Sequence, residues 1–178
     1  NSLDAKLPNK TLEVTFRLQN DKKSIKRGKL SGVMSSLKPH VESKESSVDF
    51  IPEWDEAIPS LTVEDFNTTG LQGDVKIDMP PIDSKEENNF CNFWRNLAGF
   101  TGKNNSERGK WGLGKAVFPA SSEINSFFGA TIRPEDENLY LMGLSVLNTH
   151  RLEGEPDKVF LPYGDFACFN GSNEPDFA

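Results

Sequence analysis

The sequence predicts a two-layer α/β sandwich with a mixed, largely antiparallel sheet, and three observations carry that prediction. Two stretches alternate apolar and polar residues with period two, the pattern of strands with one covered face. Apolar residues at helical spacing stand between and after them. The later apolar stretches are joined by short turns, which suit antiparallel neighbours rather than parallel crossovers. A chain of 178 residues, 35% apolar with 13 Phe, is long enough to bury a core without staples.

Residues 1–7 read as the tail of a helix, with Pro8 and Asn9 supplying the turn after it. The first strand is 12–18, Leu-Glu-Val-Thr-Phe-Arg-Leu. From Ser24 to Lys38, Leu30, Val33, Met34 and Leu37 fall at helical spacing, and Pro39 closes that helix. Residues 42–59 are polar and carry Pro52 and Pro59, so they form a loop. The second strand is 60–66, ending in Asn67-Thr68-Thr69-Gly70. Residues 71–88, with Pro80, Pro81 and five acids, read as a long loop. Phe90, Phe93, Trp94 and Leu97 recur at i, i+3, i+4 and i+7, which predicts a short helix over 89–98 with a core-facing stripe. A glycine-rich, basic stretch at 99–114 leads into a helix from Lys115 to about Phe128. Its stripe is Val117, Ser121, Ile124 and Phe128, and Pro119 falls in the first turns, where proline is tolerated. Strands at 127–132 and 139–147 flank an acidic turn at 134–138, and 159–161 is a last short apolar stretch. No internal repeat is visible.

Composition narrows the function. No apolar run approaches the roughly 18 residues of a membrane span, and mean hydropathy is −0.55, so a membrane partner is not expected. Net charge is −7, distributed as +5 over 1–48, −5 over 49–133 and −7 over 134–178. With a pI near 4.9, nucleic acid is not indicated. The basic run Lys22, Lys23, Lys26, Arg27, Lys29 reads as a solvated helix start, or else as a contact for an anionic partner. Cys91 and Cys168 have no metal-binding spacing and read as two free thiols of a reducing compartment, the cytoplasm. His40 and His150 are too few and too far apart for a zinc or triad argument.

The segment richest in chemistry is Arg108-Gly109-Lys110-Trp111-Gly112-Leu113-Gly114-Lys115, entering a helix. Glycines let backbone amides approach an anion, and a helix N-terminus adds a favourable dipole. Gly109 to Lys115 fits the P-loop spacing G-x-x-x-x-G-K. A P-loop then needs Ser or Thr for Mg²⁺, where this chain has Ala116, and it follows a buried strand, where 103–107 is polar. A P-loop enzyme is therefore the weaker reading.

Three separated pieces together resemble the GHKL superfamily of DNA gyrase B, heat-shock chaperone ATPases, histidine kinases and MutL repair proteins. Asn1-Ser2-Leu3-Asp4-Ala5 is similar to the end of that family's N-box. Glu64-Asp65-Phe66-Asn67-Thr68-Thr69-Gly70 is similar to its first glycine box, and 109–115 to its second. The wording at 93–96, 109–115 and 141–147 is closest in style to poorly characterised bacterial ATPases of this class. The resemblance spans residues 1 to about 150. It implies a Bergerat-type ATP-binding fold with helices on one face, beginning inside the N-box. It also implies a lid at about 71–108, with 151–178 as an extension or an edge of the same domain.

The resemblance implies ATP and Mg²⁺ as ligands. Asn1 would give the metal a neutral carbonyl oxygen, and Asp4, one turn on, would face the same pocket. Asp65 would accept the exocyclic amine of adenine, and Gly70 would let the backbone lie against the base. Gly109, Gly112, Leu113 and Gly114 would bring amides to the phosphates, with Lys115 adding positive charge. The structural alternatives are a surface charge at Asp4, an Asx turn at Asp65 and a solvated lysine at Lys115. Asn67 stands where the family has its first box glycine, and Asn tolerates left-handed backbone. The late threonine beside the adenine is Thr131 or Thr149. The family's general-base Glu sits four residues before the N-box Asn, which is before residue 1, so no catalytic residue is assigned. The expected function is Mg-ATP binding with lid closure, and hydrolysis in a longer chain, as a homodimer or larger assembly. The alternative is a nucleotide-sensing or interaction module without turnover.

Overall fold

Short-period apolar alternation and tight turns give the protein small antiparallel sheets with few helices. The computed structural model describes residues 2–20, 31–51, 53, 59–77, 88–95, 113–166, 168–169 and 175–176. The strands are β1 (Glu13–Gln19), β2 (Ser60–Phe66), β3 (Ser126–Ile132), β4 (Leu139–Val146), β5 (His150–Leu152), β6 (Glu155–Phe160), β7 (Tyr163–Phe166), β8 (Cys168–Phe169) and β9 (Pro175–Asp176). The helices are α1 (Ser31–Val41), α2 (Asn89–Trp94) and α3 (Val117–Ala120), the last preceded by a 3₁₀ turn at Leu113–Ala116. β1 pairs with β2, β3–β4–β7 form a three-stranded sheet, β5 pairs with β6 and β8 with β9, all antiparallel. Among the described residues no helix is long and apolar enough to cross a membrane.

The main core lies between α2 and one face of the three-stranded sheet. Register places Phe127 opposite Leu144 and Gly129 opposite Met142, so these four share a face. Phe90, Trp94, Met142, Leu144 and Val75 are buried together there, with Phe93, Phe127 and Tyr140 against them. Trp94 stacks on Phe127 at 5.4 Å between ring centroids. Gly129 makes room for it, since a Cβ there would sit 2.8 Å from the Trp94 ring. α2 starts cleanly because Asn88 Oδ1 accepts from Cys91 N at 2.8 Å.

The second core joins Met34, Leu37 and Val41 of α1 to Val48, Ile124 and Phe166. Phe166 pairs with Gly143, which alternates with Met142 and Leu144, so α1 touches the sheet on the face opposite α2. The sequence predicts helices on one face. β3 and β4 are apolar on both faces, with Phe127 and Phe128 adjacent and Leu141 beside Met142, so each face has apolar surface to bury.

Other boundaries differ for local reasons. Residues 2–5 are a turn rather than a helical tail, and Lys6 then bridges Thr68. α1 runs through Pro39 to Val41, because the proline removes one hydrogen bond while Val41 is fully buried in the second core. The helix expected from 115 to 128 stops at Ala120. Ser121 Oγ bonds back to the Val117 carbonyl at 2.7 Å and Ser122 Oγ accepts from Ser126 N at 3.2 Å, closing a turn. Phe127 and Phe128 are then taken into β3 by pairing with β4. Of the apolar stretch at 159–161, Val159 and Phe160 end β6, and β5, β7, β8 and β9 have no counterpart in the expected elements. Residues 24–30 of the expected first helix, and 96–98 of the second, lie outside the described residues.

Candidate functional site

β2 ends where the chain must turn. Asn67 takes left-handed backbone with φ 62°, and its Nδ2 donates to the Thr11 carbonyl at 2.7 Å. Thr68 Oγ1 donates to Asp65 Oδ1 at 3.2 Å. Residues 5–7 are stitched to this turn, with Thr69 N donating to the Ala5 carbonyl at 2.8 Å and Leu7 N to the Asn67 carbonyl at 2.9 Å. Segments some sixty positions apart in sequence thus form one unit. Asp65 is exposed, and its Oδ2 has no hydrogen-bond partner among the described residues. Asp4 is exposed on the preceding turn.

The chain then crosses to the end of β3. Gly70 has φ 67°, and a Cβ there would lie 2.6 Å from the Ile132 carbonyl oxygen and 3.0 Å from Thr131 Oγ1. Only glycine fits both the conformation and the approach. Leu71 N donates to Thr131 Oγ1 at 2.9 Å, so of the two candidate threonines it is Thr131 that meets the Gly70 loop. Thr149 is exposed just before β5.

Residues 71–77, the first part of the expected lid, are held at several points. Phe90 N donates to the Gln72 carbonyl at 2.9 Å, Asn88 Nδ2 to the Asp74 carbonyl at 2.8 Å, and Arg95 Nη1 to the Ile77 carbonyl at 2.8 Å. Arg133, buried at the end of β3, donates to the Gly73 carbonyl and pairs with Asp136. Its guanidinium lies 4.4 Å from the centre of the Tyr140 ring. The hydrogen bond to Arg133 holds the Asp136 carboxyl well below the usual carboxylate range, and the same bond raises Arg133. The rest of the lid, 78–87 and 96–108, lies outside the described residues.

The second glycine loop is described from residue 113 onward. Leu113 and Gly114 open the 3₁₀ turn, and Gly114 is exposed. Lys115 is buried rather than solvated, and its ammonium donates to the Asn92 carbonyl of α2. Burial pushes its pKa down, partly opposed by the neighbouring Cys91. Asn1, Gly109 and Gly112 lie outside the described residues. The structure therefore ties residues 5–7 to the 67–69 turn and the Gly70 loop to Thr131, leaves Asp4 and Asp65 exposed, and fastens Lys115 to α2.

One cluster was invisible in the sequence. His40 Nδ1 lies 2.8 Å from His150 Nε2, although the two are 110 positions apart. His150 Nδ1 meets the Asn148 carbonyl at 2.8 Å. Phe160 makes an edge contact with His40 at 4.7 Å and stacks on His150 at 5.7 Å. The pair lines a cavity of about 210 Å³ with Leu37, Leu147 and Tyr163. The one usable signal was position, since His40 follows Leu37 by three residues on the apolar stripe of α1. Among the described residues no three His, Cys, Asp or Glu side chains form a group that could hold a metal. The chain matches no known protein family, no curated protein and no solved structure.

Proposed function

We propose that the chain binds Mg-ATP between residues 1–5, the turn at 65–70 and the loop at 109–115. The supporting observation is the stitching of Ala5 and Leu7 to Asn67 and Thr69, beside a Gly70 closed off by Thr131. An acidic strand end, a glycine that admits no side chain and a late threonine meet there, on a turn tied to the first residues of the chain. On this reading Asp65 Oδ2 accepts the exocyclic amine of adenine, a charge-assisted hydrogen bond. Gly70 lets the base approach the backbone. Amides of 109–114 meet the phosphates, and Asn1 gives Mg²⁺ a neutral oxygen while Asp4 faces the same pocket. The wider reading goes with it: a cytoplasmic protein in which bound nucleotide drives a conformational switch.

Lys115 favours a second reading, nucleotide sensing without turnover. An ammonium that would stabilise charge on a transferring phosphoryl group is held on the Asn92 carbonyl. Calorimetric titration with Mg-ATP tests the binding itself. Asp65→Asn is expected to weaken affinity by about 10- to 150-fold, the worth of one charged hydrogen bond. Equal affinity in the two proteins removes Asp65 from the site, and no binding by the unaltered chain defeats the reading.

A further inference from the structure

We propose that the His40–His150 contact is a pH-sensitive clamp that holds the β5–β6 hairpin on α1 and releases it on acidification. The tautomers follow from the partners. A carbonyl oxygen only accepts, so His150 Nδ1 carries the hydrogen shared with Asn148. Neutral His150 then has a bare Nε2, which accepts from His40 Nδ1–H at 2.8 Å. A first proton added at His40 Nε2 leaves this bond in place but puts a cation among Leu37, Phe160 and Leu147. A second proton cannot be accommodated. Both nitrogens of the contact then carry hydrogens, and two imidazolium ions face each other within hydrogen-bonding distance.

The surroundings oppose charge on the pair. His150 is 3% exposed. Burial first, then the His150 and Lys158 charges, lower the pKa of His40, and Glu155 works against them. On β6, Lys158 and Glu155 are paired with each other at 2.9 Å. On β5, Arg151 is held by Glu45 at 3.0 Å, and on α1 Lys38 meets Glu42 at 3.7 Å. Glu153 is exposed at the hairpin tip, and Tyr163 of β7 lines the same cavity. Because the folded His40 binds its proton more weakly than the unfolded chain does, docking strength is complete above the ordinary histidine value of about 6.5 and falls below it.

Release is local. Besides the histidines, the hairpin is tied down by exposed bonds, Ser43 Oγ to the Arg151 carbonyl at 2.8 Å and Arg151 N to Glu45 Oε2 at 2.9 Å. α1 keeps its own apolar contacts through Met34, Leu37 and Val41. The hairpin can therefore leave without dissolving either core.

The chain has two histidines, so imidazole NMR titration of the whole chain reads the clamp directly, alongside amide exchange corrected for its intrinsic pH dependence. His40 is expected to titrate below 6.5. Protection over 150–160 should fall by more than about tenfold per pH unit as acidification adds the second proton, with 139–146 unchanged. The double variant His40→Gln, His150→Gln should show hairpin protection independent of pH between 7 and 5. If that variant does not fold, the unaltered chain still decides. Both imidazoles titrating independently near 6.5, with hairpin protection unchanged down to pH 5, would overturn the clamp.

Discussion

The β1–β2 ribbon and the β3–β4–β7 sheet are both antiparallel and both rich in apolar residues, yet they bury them very differently. On the ribbon, Phe16 pairs with Val63 and Leu18 with Leu61, giving an apolar face that ends at Asp65 opposite Val14. That face is open: Phe16 is 70% exposed and Leu18 68%. On the three-stranded sheet, Leu144 is 1% exposed and Met142 4%, because α2 lies over them. The difference shows that alternation identifies which face of a strand wants cover, while only another element supplies it. α2 can do so because its stripe of Phe90, Phe93 and Trp94 meets a sheet hollowed by Gly129.

The sharpest way to break this comparison is to truncate one aromatic on each side. Phe90→Ala, at 1% exposure, should lower stability by about 3–5 kcal/mol in urea unfolding. Phe16→Ala should stay within about 0.5 kcal/mol. If Phe16→Ala proves as damaging as Phe90→Ala, the ribbon is covered in solution and the contrast disappears.

A smaller effect is expected where the two regions meet. Gly70→Ala places a methyl 2.6 Å from the Ile132 carbonyl in left-handed backbone, and should cost about 1–3 kcal/mol. Gly154→Ala, where a Cβ meets nothing within 4 Å, is the control and should change unfolding by less than about 0.5 kcal/mol.

Asp136 offers a comparison by pH. Its folded carboxyl is held low by Arg133, so its contribution to stability is present above the ordinary carboxylate value of about 3.9 and is lost as pH falls below it. Urea midpoints of the unaltered chain and Asp136→Asn should differ at pH 6 and converge towards pH 2.5. A gap that stays constant across that range would mean the carboxylate charge is not what holds the turn. This window lies well below the one expected for the histidine pair, so the two can be separated in one titration series.

Much of the fold was readable. β2 falls on the predicted residues, and β1, β3 and β4 lie within one residue at each end of theirs. Strand periodicity is local and strong there. The helix predicted from 115 to 128 was misread because Ile124 and Phe128 satisfy helical spacing by coincidence. Serine side chains and pairing with β4 decided the matter. Of the candidate site, the left-handed Asn67 and the need for Gly70 follow from residue type. Thr131 could not be chosen over Thr149 without knowing which strand end receives the loop.

By itself the sequence determined strands β1 to β4, the turn chemistry at Asn67 and Gly70, and the apolar stripe of α2, because each depends on neighbours within a few positions. Only the tertiary structure decided that Lys115 is buried against Asn92 and that α1 and α2 touch opposite faces of one sheet. It also brought His40 onto His150. Those outcomes depend on which distant surfaces compete for the same burial, and that competition is settled only when the chain has closed on itself.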